Sequence, residues 1–221
     1  MAPDWDEDSP RLRKNLAHVL GTLRRSAKER TTPSVEQARE WQRLFMEGLE
    51  ADDARYVGAY RGEPGLENVQ VRIGTQYGVP ADSVAEELRK FQAKLQESVG
   101  ALDEMLPPGH GLTADQLGAV IVLCAWTHSE WVRIHPFANG NGRTARLWAN
   151  SIALRYGLPP FVRLRPKPDG GYGAAGAQAM SGNWEPTARV FQRMLNDLLN
   201  ELQSPGSVNE PSEEPDNSNK E

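Results

Sequence analysis

The stretch His135-Pro136-Phe137-Ala138-Asn139-Gly140-Asn141-Gly142-Arg143-Thr144-Ala145-Arg146 sets a base beside a glycine-rich loop and two arginines. Gly140 and Gly142 can take backbone angles closed to other residues, so the amides around Asn141 can turn inward as a concave anion site. The run from Thr144 to Leu154 has helical composition. The loop therefore opens onto a helix N-terminus, whose free N–H groups and partial positive charge favour anions. The dipole alone contributes about 0.3–1 kcal/mol. Arg143 and Arg146, three apart, share one face of the first turn and can grip phosphate oxygens in pairs. His135 precedes them, an imidazole able to take a proton from an attacking hydroxyl at neutral pH, an effect worth about 10²–10⁴ in rate. Base, amide nest and guanidinium pair are together what phosphoryl or nucleotidyl transfer requires.

Outward from this loop the periodicity is helical. Leu12, Leu16, Val19, Leu20 and Leu23 recur at helical spacing between Pro10 and Lys28, with Ser9 as cap. Ser34 caps a second expected helix running to about Leu49. A third spans roughly Asp82 to Leu106, where Val84, Leu88, Phe91, Leu95, Val99 and Leu102 recur, and Pro107-Pro108-Gly109 ends it. Thr113 to Val132 forms the next, and Pro136 pushes His135 out of helical geometry. The motif helix is expected over Arg143–Tyr156 and a last amphipathic helix over Trp184–Leu202. Strand signals are confined to Val69-Gln70-Val71-Arg72-Ile73, bounded by Asn68 and Gly74, which reads as a small hairpin. An edge strand of this kind can pair with an extended segment of another protein. The fold is therefore expected to be mainly α.

The order of motif residues resembles the Fic family, whose signature reads His-Pro-Phe-x-Asp/Glu-Gly-Asn-Gly/Lys-Arg-x-x-Arg. The likeness extends to Gly58-Ala59-Tyr60-Arg61, to Val69 through Gly74, and to Leu158-Pro159-Pro160. It implies a Fic-type helical bundle with a hairpin flap beside the active-site loop. The expected organisation is a helical extension over residues 1–31, the Fic domain over 32–203 and a disordered acidic tail over 204–221. The resemblance further implies transfer of AMP from ATP to a Ser, Thr or Tyr hydroxyl of a target protein. His135 would be the general base and Phe137 the loop anchor. Gly140, Asn141 and Gly142 would form the anion hole, and Arg143 and Arg146 would hold the β- and γ-phosphates. The flap residues Val69, Gln70, Val71, Arg72 and Ile73 would dock the target. Asn139 stands where the family places the carboxylate that holds Mg²⁺. An amide offers an oxygen without the charge, so metal binding is expected to be weakened. The alternatives are a degenerate nucleotide-binding or regulatory module, or transfer of UMP, phosphate or phosphocholine.

Many relatives carry an inhibitory Ser/Thr-x-x-x-Glu-Gly/Asn helix. Thr32 to Glu36 matches only the first part, and Gln37 departs at the end, so the segment reads as a helix cap with an acidic first turn. The resemblance then implies an enzyme either unrestrained or held by a separate small antitoxin.

A net charge of −5 lacks the basic excess of a nucleic-acid binder. No apolar run is long enough to span a bilayer, and the acidic start Met1 to Asp8 is unlike a secretory signal. Neither nucleic acid nor membrane is an expected partner, and the expected location is cytoplasmic. Cys124, in an apolar run, is expected to pack the core, and no His or Cys spacing points to zinc. His128 is read as a satisfied helix histidine with a lesser claim to support the site. The resemblance implies that Tyr172, after Gly170-Gly171, stacks on adenine; the alternative is that the glycine-rich loop is just a turn.

Overall fold

The computed structural model describes residues 9–203. Seven α-helices and one two-stranded hairpin occur among them: α1 (Pro10–Lys28), α2 (Val35–Met46), β1 (Arg72–Ile73), β2 (Gln76–Tyr77), α3 (Val84–Met105), α4 (Ala114–Ile134), α5 (Asn141–Arg155), α6 (Tyr172–Ala179) and α7 (Glu185–Gln203). The expected mainly α fold is what is observed. The tail from residue 204 onward and the acidic start lie outside the described residues.

The helix starts follow local chemistry. The Ser9 hydroxyl accepts from the Leu12 amide at 3.1 Å, with Pro10 in the first turn, where its missing N–H costs nothing. Ser34 and Gln37 form a reciprocal capping box on α2, and Thr113 and Gln116 do the same on α4. The segment weighed as an inhibitory element is thus the cap of α2.

Helices α4 and α5 pack together at the centre, with α1, α3 and α7 around them. Their shared core is aromatic. The Trp148 ring lies 4.7 Å from Trp41 and 5.6 Å from Phe91, both edge-on, and Phe91 also meets Trp131 edge-on at 5.5 Å. Such pairs add about 0.5–1.5 kcal/mol each beyond their burial. Leu12, Leu16, Val19 and Leu23 bury one face of α1 in this same core, so the N-terminal helix is packed into the bundle. Asn15 of α1 donates to the carbonyls of Phe45 and Glu47, fixing α1 against the end of α2. Cys124 is fully buried, as expected.

Two local expectations need correction. The strand predicted from Val69 is shorter: only Arg72 and Ile73 pair, antiparallel with Tyr77 and Gln76. Residues 69–71 are held otherwise, with the Val69 carbonyl taken by Arg61 and the Val71 carbonyl by the Gly78 amide. The glycine-rich stretch after Gly171 forms α6. Gly173 and Gly176 lower its helix propensity, but Tyr172, Ala175 and Ala179 are buried against α4 and α7, and that packing overrides it.

Candidate active site

Named contacts fix most of the motif loop. Phe137 is fully buried, its ring 4.7 Å from Tyr60 and 5.9 Å from Trp131. Its backbone is bracketed by Asn141, whose Oδ1 accepts from the Phe137 amide at 2.9 Å and whose Nδ2 donates to the Phe137 carbonyl at 2.8 Å. The Asn141 side chain therefore closes the loop, leaving its amide, with that of Gly142, at the open first turn of α5. Gly140 caps that turn at φ +87°, and a Cβ there would stand 2.8 Å from Phe45 Cζ. Glycine is required here on both counts.

His135 ends α4 in the left-handed conformation, φ 53° and ψ 55°. The proline that follows excludes the helical region, as the sequence implies, and the residue turns left-handed in place of extended. This rotates the ring so that Nδ1 lies 2.9 Å from the Val132 carbonyl. A carbonyl only accepts, so Nδ1 carries the proton and Nε2 of the neutral ring is the free acceptor. Burial pushes the imidazole down to about 4; the Val132 bond opposes this, and the Arg61 guanidinium adds to it. At neutral pH His135 is an unprotonated base.

Arg143 and Arg146 are buried at the start of α5. The Arg143 guanidinium lies over the Phe45 ring at 4.7 Å. Arg146 donates through Nη2 to the Leu164 carbonyl at 3.1 Å, and its Nη1 is 3.4 Å from the Tyr172 hydroxyl. Its Nε is buried without a hydrogen-bond partner among the described atoms. Asn139 Oδ1 turns back to accept from the Gly140 amide at 2.6 Å.

These residues line one cavity of about 300 Å³. It brings together His135, Asn139, Gly140, Asn141, Gly142, Arg143 and Arg146 with Val71, Arg72 and Ile73 of the flap region. Val69 and Gln70 are not on its wall; Gln70 faces a neighbouring hollow behind the flap. A second cavity of about 470 Å³ adjoins the first along Ile73, His135, Gly142 and Arg146 and extends past Tyr172 and Gly176 of α6. A larger cavity, about 790 Å³, lies at the other end of α5 around Leu154–Gly157, without the motif residues. Size is not the guide to chemistry here.

Sequence reasoning assigned no role to Arg61, Arg165 or Lys167. Arg61, buried, donates from Nε to the His135 carbonyl at 2.8 Å, from Nη1 to the Val69 carbonyl at 3.3 Å, and from Nη2 to the carbonyls of Val79 at 2.8 Å and Ile134 at 3.0 Å. It clamps the root of the flap to the end of α4. Arg165 and Lys167, from the segment joining α5 to α6, line the 300 Å³ cavity. The basic run Arg163-Leu164-Arg165-Pro166-Lys167 was the available signal. Tyr172 is buried, and His128 Nε2 lies 2.7 Å from its hydroxyl, so the tyrosine ring supports Arg146 from behind and does not stand open for stacking. Burial, with Arg146 nearby, pushes His128 down to about 3.

The Fic/DOC family matches residues 32–153, more than half of the chain and all of the motif. The chain belongs to the Fic/DOC family. It is 42% identical over 74 residues to the protein adenylyltransferase Fic of Nematostella vectensis, a match covering 33% of this chain and 17% of that one. The chain thus spans about a sixth of the length of that curated relative. Its fold is similar to Fic-1 of C. elegans, TM-score 0.56 at 24% identity, over 85% of this chain and 51% of that one. It is similar also to the BepC protein of Bartonella tribocorum, solved with bound AMPPNP, TM-score 0.58 at 16% identity, over 88% and 91% of the two chains.

Proposed function

We propose that this Fic protein transfers AMP from ATP to a Ser, Thr or Tyr hydroxyl of a target protein. The observation that carries the reading is the neutral His135, its tautomer set by Val132, on the wall of a cavity lined by the α5 amides, Arg143 and Arg146. In the proposed reaction the target oxygen attacks the α-phosphorus while Nε2 of His135 takes the hydroxyl proton. The bond between the α-phosphorus and the bridging oxygen breaks, and pyrophosphate leaves against the Gly142 amide and the two guanidinium groups. Catalysis is positioning plus stabilisation of charge by preorganised donors. The names of the curated relatives and the AMPPNP in BepC support the donor and the transferred group. A target segment lying along Arg72 and Ile73 would bring its hydroxyl to His135. Control by a separate inhibitory protein and a cytoplasmic location belong to the same proposal. Among the described residues no helix is long and apolar enough to cross a membrane.

The family resemblance implies Mg²⁺, and the residues present do not fit a protein-held ion. Mg²⁺ favours charged oxygens. The Asn139 oxygen is already engaged by Gly140, and among the described residues no carboxylate lines the cavity and no group of three His, Cys, Asp or Glu could hold a metal.

The test is incubation of the pure protein with α-labelled ATP and a lysate. Label should appear on a protein band and disappear with His135→Ala. Label that survives this substitution unchanged rejects the mechanism.

A further inference from the structure

We infer that Lys167 takes the place of the missing metal, so that the site binds a metal-free triphosphate and Lys167 neutralises its β- and γ-phosphates. The inference rests on the AMP-transfer reading and assigns a residue that the Fic motif does not contain. Three observations carry it.

The first is the charge of the cavity. Arg72, Arg146 and Lys167 bring positive charge to it, and among the described residues no Asp or Glu is part of its wall. Like charges gathered on one wall repel, and an anion of high charge density relieves them all at once. ATP without a divalent ion carries more negative charge than its metal complex and suits such a wall better.

The second is the placement of Lys167. It lies on the wall of the 300 Å³ cavity and also of the adjoining one, beside His135, Gly142 and Arg146 in both. It therefore stands where the two hollows meet. Its side chain makes no hydrogen bond or ion pair with the other described residues. An ammonium is a compact, strongly hydrated point charge, closer in kind to a small hard cation than a planar guanidinium is. Arg146 adds an unused donor in the same wall, its buried Nε.

The third is that the backbone carrying Lys167 is held in place. Asn150 of α5 exchanges two bonds with Val162, at 2.8 and 3.0 Å, and Arg146 donates to the Leu164 carbonyl. Arg163 donates to the carbonyls of Pro166 at 3.1 Å and Lys167 at 3.3 Å. The helix that presents the phosphate-binding arginines thus also anchors the segment bearing the lysine, so the charges keep a set relation without an ion to organise them.

The experiment is calorimetric titration of the full chain with ATP, once in excess EDTA and once in Mg²⁺. Wild type, Lys167→Ala, Lys167→Arg and the double variant Asn139→Asp/Lys167→Ala are compared. Lys167 is exposed, so its variants should keep the wild-type circular dichroism. Wild type should bind ATP in EDTA to within about threefold of its affinity in Mg²⁺. Lys167→Ala should weaken ATP in EDTA by about tenfold or more, the size of one charge-assisted contact. AMP, lacking the outer phosphates, should bind almost as before. Lys167→Arg should recover part of the loss, and the double variant should recover affinity only when Mg²⁺ is present. ATP binding that requires Mg²⁺ and ignores Lys167→Ala overturns the inference and leaves AMP transfer standing. No ATP binding to wild type in either buffer overturns both.

Discussion

Replacing Arg61 by methionine should test how the flap is coupled to the catalytic loop. The guanidinium donates to four carbonyls, those of His135, Ile134, Val69 and Val79, from a site only 2% exposed. Charge-assisted bonds contribute about 1.5–3 kcal/mol each, so simple addition would set a ceiling near 12 kcal/mol. The true loss is smaller, because burial of the guanidinium is itself costly and already pulls its pKa down. Methionine fills the volume, which removes the cavity contribution, and leaves four carbonyls without their donors. A net loss of about 3–4 kcal/mol is expected. That is a large part of a domain's usual margin of about 5–15 kcal/mol, yet compatible with folding. A lysine ammonium at this position keeps the charge but cannot reach both sides of the fork, so Arg61→Lys should lose roughly half as much. Urea denaturation followed by far-UV circular dichroism measures both. Hydrogen exchange should quicken at Gly78 and at the loop around Phe137 before it quickens in α4. If Arg61→Met costs less than about 1 kcal/mol and leaves exchange at the flap unaltered, the clamp does not exist as described.

Three further outcomes follow from the site's geometry. Gly140→Ala forces a side chain into φ +87° and against Phe45, and should cost about 2 kcal/mol or more in stability while weakening ATP binding, both read by calorimetry; full retention would count against the nest. With His135 lowered to about 4, the transfer rate should be flat around neutrality and fall only as pH approaches that value; an inflection near 6.5 would mean the ring is solvated. Stability has the same sign. Between the unfolded value of about 6.5 and the folded values of about 4 for His135 and about 3 for His128, the unfolded chain binds more protons, so stability falls as pH drops through that window. His135 alone accounts for about 3 kcal/mol of that loss.

The helices were legible because their signals are local. Ser9, Ser34 and Thr113 cap within three residues, and leucines four apart declare a buried face without any distant partner. The motif loop was legible for the same reason, its glycines and arginines being contiguous. The boundaries that slipped are those decided by contacts across the chain. Helix α6 depends on α4 and α7 to hold a glycine-rich segment, and residues 69–71 are held by Arg61 at the Val69 carbonyl and by the Gly78 amide at the Val71 carbonyl rather than by strand pairing. Arg61 meets His135 across 74 positions, and His128 meets Tyr172 across 44. No window of sequence contains either pair. The Asn141 side chain, to which sequence reasoning gave no task, brackets the Phe137 backbone, a pairing that spacing alone does not reveal.

The acceptor that orients His135 is the main-chain oxygen of Val132. Many enzymes give that task to a carboxylate, which one codon change can abolish. Here any amino acid at position 132 supplies the same oxygen, and only a distortion of the last turn of α4 could withdraw it. The imidazole's proton arrangement is thereby insulated from drift in the surrounding side chains, and substitutions can accumulate around the pocket and alter what enters it without changing which ring nitrogen of His135 is left free.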